Sequence, residues 1–330
     1  MSLMDDALQP FAVGGLFALD GKRGDENLAD LLVGRLGYDL NFDALSRSFS
    51  ADFRDPNIVV AAIGGDASRF ASAALQTISM VERDVVDKDT FAWGIVKLYY
   101  SAFYAGHALI RLLGASCTYL DRSHISRVTA LGAALGKMPG FRIETGLYHC
   151  HVNATSSGFV YERARGSVGG AHESFWEIFR QRIRDLMQAV LAGPLDRTDA
   201  DAVFGKLRSF DDILSTRGAT AHGALSELRN NVQYRHSLGA WFPVAVSKAQ
   251  RAKLSRIASQ WQRDPMNVEL PAADTNILEQ FAAACAFVVA VCRSLLFRIV
   301  QRSSVRDRCF ICFGPVAFLR NARLSVPRNY

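Results

Sequence analysis

Arg229 and His236 are the residues in this chain whose types and spacing best suit phosphodiester chemistry. Arginine offers phosphate oxygens a fixed charge and a planar fork of donors, and histidine exchanges protons near neutral pH. On a continuous helix, side chains seven positions apart share a face, about 10 Å apart along the axis. They share a face without touching.

Spacing alone does not select this pair. Arg142 and His149, Arg165 and His172, and Arg217 and His222 are similarly separated. Gly146 interrupts the first span, and Gly166, Gly169 and Gly170 interrupt the second. Gly218 follows Arg217 near a helix start, which leaves its distance to His222 without fixed geometry. The span from Arg229 to His236 is free of Gly and Pro, and the polar amide Asn230 follows its arginine.

The elements that must position the pair read as helices. Ala219, Ala221, Ala224, Leu225 and Leu228 build one through Arg235, ended by Gly239 and Pro243. Ser247 caps a basic helix, Lys248–Trp261, carrying Lys248 and Arg251 with Leu254, Ile257 and Trp261 inward. Asp89 or Thr90 caps a helix running to Gly114, with an apolar stripe from Phe91 through Tyr99 and Phe103 to Leu113. Beside it runs a second stripe, Tyr100, Tyr104, His107 and Arg111. That stripe is either packing between core and rim or the wall of a nucleotide-binding cleft.

Helical periodicity also marks 173–191, 199–215 and a final helix capped by Asp274 and running to about Gln301, apolar nearly all round from Phe281 to Val291. Residues 1–65 form an irregular N-terminal segment in which Asp25 caps a short helix to about Gly34 and Ile58–Ile63 is a strand or a buried turn of helix. Residues 115–170, rich in Gly, Ser and His, read as an insertion with at most a helix near 125–135, and the basic tail 303–330 reads as a short hairpin. The expected fold is all-α, a helical domain over 66–302 with that insertion.

Arg229-Asn230 followed by His236 resembles the Arg-polar-x(4–6)-His motif of HEPN domains, which are small helical bundles. The stretch Leu98-Tyr-Tyr-Ser-Ala-Phe-Tyr-Ala-Gly-His-Ala-Leu-Ile-Arg111 is similar to the Tyr/Phe-rich early helix of that family. The resemblance covers roughly residues 68–301. It implies a homodimer through the helix bearing the motif, so that two copies meet in one cleft. It also implies a metal- and cofactor-independent endoribonuclease of antiviral defence or a toxin–antitoxin pair, with an antitoxin or regulatory protein as a further partner. His236 would then act as general base or acid at the RNA 2′-hydroxyl and leaving 5′-oxygen. Arg229 would stabilise the phosphorane, and Asn230 would orient the phosphate or the histidine. One departure is that Tyr234 precedes the histidine, whereas some toxins of the family carry a modified tyrosine after it. The alternative function is a non-catalytic RNA- or nucleotide-binding subunit that recruits another enzyme.

Composition agrees with a polyanionic partner. Residues 217–263 and 293–330 each carry net +7 against +6 for the whole chain, so the remainder is net acidic. Tyr100, Tyr104, His107, Arg111, Arg235, Lys248 and Arg251 are the candidate RNA-binding residues. The start, Met-Ser-Leu-Met-Asp-Asp, lacks the basic region and apolar run of a signal peptide, and the uncharged run Phe281–Cys292 is short for a bilayer, so a cytoplasmic protein without membrane contact is expected. Six scattered cysteines fit reduced thiols. Cys309 and Cys312 have the spacing of a zinc knuckle or redox pair but lack a second matching pair, so buried thiols are the expectation and metal the weaker reading.

Overall fold

The computed structural model describes residues 2–19, 27–34, 37–153, 156–164, 170–215, 223–272 and 275–324. Asp25, Arg165, Arg217, Ala219, Ala221, His222 and Asp274 lie outside them. In chain order come α1 (Leu3–Leu8), α2 (Leu31–Gly34), β1 (Tyr38–Asp43), β2 (Ser48–Phe53), α3 (Pro56–Val86), α4 (Phe91–Leu112), β3 (Ala115–Leu120) and α5 (Arg122–Ala134). They are followed by β4 (Gly146–Val152), β5 (Gly158–Arg163), α6 (Gly170–Leu191), α7 (Arg197–Ser215), α8 (Ala224–Gln233), α9 (Lys248–Ala258), α10 (Ile277–Val300) and α11 (Pro315–Asn321).

The helical core centres on α4, which packs against α3, α6, α8 and α10. Asp55 accepts a hydrogen bond from the Asn57 N–H and Pro56 occupies the first turn, so α3 begins well before Asp66 and Ile58–Ile63 is helical. Gly94 lets α4 approach α3 closely, since a Cβ there would meet the Val85 backbone nitrogen at 2.8 Å. Asn276 caps α10, accepting from the Leu278 N–H. Helices α3 and α10 are long and apolar enough to cross a bilayer, but 67% and 83% of their most apolar windows are buried within the fold. They act here as core helices.

The all-α expectation is overturned by a five-stranded antiparallel sheet in the order β1-β2-β5-β4-β3, which makes the fold mixed α/β. Phe49 in β2 faces Tyr161 in β5, with ring centroids 4.6 Å apart in a stacked pair. Cys150 in β4 faces Tyr161 from the other side. The physical cause is a period of two that glycines and polar residues obscure: Tyr38 and Leu40 are buried between exposed Asp39 and Asn41, and Tyr148 and Cys150 alternate with His149 and His151. Residues that read as irregular N-terminus and mid-chain insertion thus form one sheet. The tail holds a π-helical turn, Arg308–Cys312, followed by α11, in place of the expected hairpin, because the Asp307 carboxylate accepts from the Cys309 and Phe310 N–H groups.

Candidate active site

Arg229 lies on the buried face of α8 together with Leu225, Leu228 and Val232 and is 5% exposed. Its guanidinium carbon is 5.2 Å from the Tyr99 ring centroid, 6.0 Å from Tyr100 and 5.7 Å from Tyr234. Nε has no hydrogen-bond partner, and among the described residues no carboxylate pairs with the group. The aromatic faces offset part of the cost of desolvating this charge, but an oxyanion would offset more.

His236 does not share the helical face of Arg229. Helix α8 ends at Gln233, where the Asn230 carbonyl accepts from both the Tyr234 and Arg235 N–H groups. Beyond it, His236, Leu238 and Gly239 adopt left-handed backbone (φ 51°, 67° and 61°), which turns the chain back. The exposed imidazole of His236 stacks on Trp241 with centroids 5.5 Å apart, and Trp241 donates its Nε1–H to the Val232 carbonyl at 2.6 Å. Arg229 therefore faces inward from the helix while His236 sits outside its C-terminal end.

The histidine that meets the Arg229 cluster is His172, in the first turn of α6. Its Nδ1 is 2.9 Å from the Tyr99 hydroxyl, which accepts from Trp176 Nε1–H at 3.1 Å. Trp176 can only donate to the Tyr99 oxygen, and the tautomer in which Tyr99 gives its proton to Nδ1 leaves Nε2–H as a donor. Burial, aided by the Arg229 charge, pushes the His172 pKa down to about 4, so the ring is neutral at pH 7. Burial raises the Tyr99 hydroxyl, against the lowering influence of Trp176 and Arg229. A fixed cation, a neutral imidazole and aromatic walls are groups whose chemistry suits a phosphoryl oxygen. The glycines before His172 hid it in the sequence, although His172, Phe175 and Trp176 follow helical spacing.

Comparison with protein-family models, curated proteins and solved structures gave no match. The functional reading therefore rests on the residues themselves.

Of the remaining candidates, Tyr100 and Tyr104 are half-buried, with rings 6.0 Å apart, and Tyr100 lies 5.9 Å from His172. His107 and Arg111 are buried. Arg111 Nε donates to Asp66 at 3.1 Å, and its Nη1 lies 3.1 Å from His107 Nδ1. His107 stacks between Phe70 and Phe175, and burial, then Arg111, holds its pKa well below the ordinary range. Arg235 is exposed and donates to Asn231, while Lys248 is exposed at the start of α9. Arg251 donates to the Val86 and Val246 carbonyls, clasping the end of α3. Asn230 is half-buried beside Arg229. Cys309 is buried and Cys312 exposed, and among the described residues no group of three ligating side chains is placed to hold a metal.

Proposed function

We propose that this chain is a metal-independent endoribonuclease of the HEPN type, acting on cytoplasmic RNA in antiviral defence or as a toxin. The observation that carries the reading is the Arg229 guanidinium, buried among Tyr99, Tyr100 and Tyr234 and near neutral His172, with no carboxylate paired to it among the described residues. Such a group suits an oxyanion, and Tyr234, which covers it from 5.7 Å, is itself 65% exposed.

In the proposed reaction the RNA 2′-hydroxyl attacks phosphorus, Arg229 balances charge growing on the equatorial oxygens, and the 5′-oxygen leaves with a proton. The products are a 2′,3′-cyclic phosphate and a 5′-hydroxyl, and DNA is not cut. His236 stacks on Trp241 and is not among the rings found around Arg229, so in this reading the proton-transferring histidine comes from the second protomer of a homodimer. Cleavage assayed in chelator should fall by about 100-fold or more in Arg229→Ala and in His236→Ala. Unchanged cleavage in both variants would rule out the site.

A second reading, a non-catalytic RNA- or nucleotide-binding subunit, draws on the lowered pKa of His172, which is neutral at pH 7 and already engaged with the Tyr99 hydroxyl. Salt-dependent RNA binding with no cleavage by the wild-type protein is its signature.

A further inference from the structure

A cleft of about 470 Å³ lies where β4 and the later turns of α6 meet the end of α4 and residues 11–14. Its volume suits a small ligand. It is separate from the Arg229 cluster: Arg182 on its wall and His172 are ten positions apart on α6, about 15 Å along the axis.

Three features give the cleft its chemistry. The Arg182 guanidinium spends Nη2 on the Leu113 carbonyl at 2.8 Å, its Nε has no partner, and among the described residues no carboxylate pairs with it. Burial lowers its pKa against the opposing charge of Asp185, so the cleft wall carries a partly desolvated cation. His149 and His151 project from one face of β4 with rings 5.8 Å apart, and burial, then the neighbouring imidazole, keeps His149 neutral. At the rim, exposed Asp185 accepts from Gln181 at 2.9 Å and offers an acceptor to hydroxyl groups. Phe11, Val13, Leu113, Val152 and Ile178 supply apolar wall.

Two imidazoles and a carboxylate would otherwise suggest a divalent cation. No three such groups converge among the described residues, and Arg182 opposes positive charge in the same wall. An anion that also carries an apolar ring and hydroxyls satisfies all three features. We propose that this cleft binds a nucleoside monophosphate, with its phosphate toward Arg182 and the two histidines, its ribose hydroxyls toward Asp185 and its base on the apolar wall.

Calorimetric titration of the full chain with AMP, GMP, CMP and UMP tests this, with the matching nucleosides and inorganic phosphate as controls. At least one nucleotide should bind in the micromolar range, and Arg182→Ala should weaken it by about tenfold or more. His151→Ala, at a half-buried position, should weaken it by roughly threefold or more and serves if loss of the Leu113 contact unfolds the first variant. Arg229→Ala should leave it unchanged, which separates this cleft from the proposed nuclease site. The proposal is overturned if no nucleotide binds at millimolar concentration or nucleosides bind as well as their phosphates. It is equally overturned if His151→Ala and every folded Arg182 variant bind normally, or if binding is lost only with Arg229.

Discussion

Two arginines buried to a similar degree show how a counter-ion separates structure from function. Arg111 is held by Asp66, by His107 and by the face of Phe70, 4.4 Å from its guanidinium carbon. Arg229 has aromatic faces and no carboxylate among the described residues. Removing one member of a buried pair strands the other, so Arg111→Ala should cost about 3–5 kcal/mol in denaturant unfolding. Arg229→Met, which removes a buried charge that has no carboxylate partner among the described residues and keeps the apolar stem, should cost less than about 1 kcal/mol while abolishing phosphate-dependent RNA binding. A large stability loss for Arg229→Met would make that arginine a packing element. The residue types were legible in the sequence, but His107 and Arg111 shared a stripe with Tyr100 and Tyr104 and only burial separates them. His172 was passed over because glycines precede it.

At the scale of elements, the long amphipathic helices were readable because each repeats its apolar spacing over several turns; α6, α7 and α9 begin within a few residues of the expected positions. The strands were not, since their outward residues, such as Asp39, Asn41, His149 and His151, read as loop, and β2 finds β5 only through a pairing distant in sequence. The end of α8 was hidden too: no Gly or Pro occurs between Arg229 and His236, and left-handed backbone at His236 breaks the face. Helix α1 offers a test of element docking. Its Asp5 carboxylate accepts from the Ser294 hydroxyl of α10 at 2.6 Å, yet burial pushes its pKa up to about 6 from 3.8, against that hydrogen bond. The folded chain thus keeps a proton between about pH 4 and 6 that the unfolded chain releases, and stability falls as pH rises through that window. Asp5→Asn, which keeps an acceptor for Ser294, should remove this slope and add at most about 3 kcal/mol at pH 7, as read from the difference between variant and wild-type melts at pH 4 to 7. Identical pH profiles would show that α1 docks without a buried carboxyl.

At the scale of the whole molecule, the two basic segments are only partly free for a polyanion. Arg293 donates to the Gln262 and Arg263 carbonyls, Arg298 pairs with Asp6 at 3.0 Å, and Lys253 pairs with Glu279 at 2.8 Å. Arg229 is buried and His236 is exposed beyond the end of its helix, and the proposed active site draws the two from different protomers. Mixing inactive Arg229→Ala and His236→Ala proteins under conditions that allow subunit exchange is the most direct test. Mixed dimers would contain one site with an intact arginine from one chain and an intact histidine from the other, so RNA cleavage should return to about a quarter of the wild-type rate. No recovery despite exchange, or a wild-type protein that leaves RNA intact, would contradict the composite ribonuclease site.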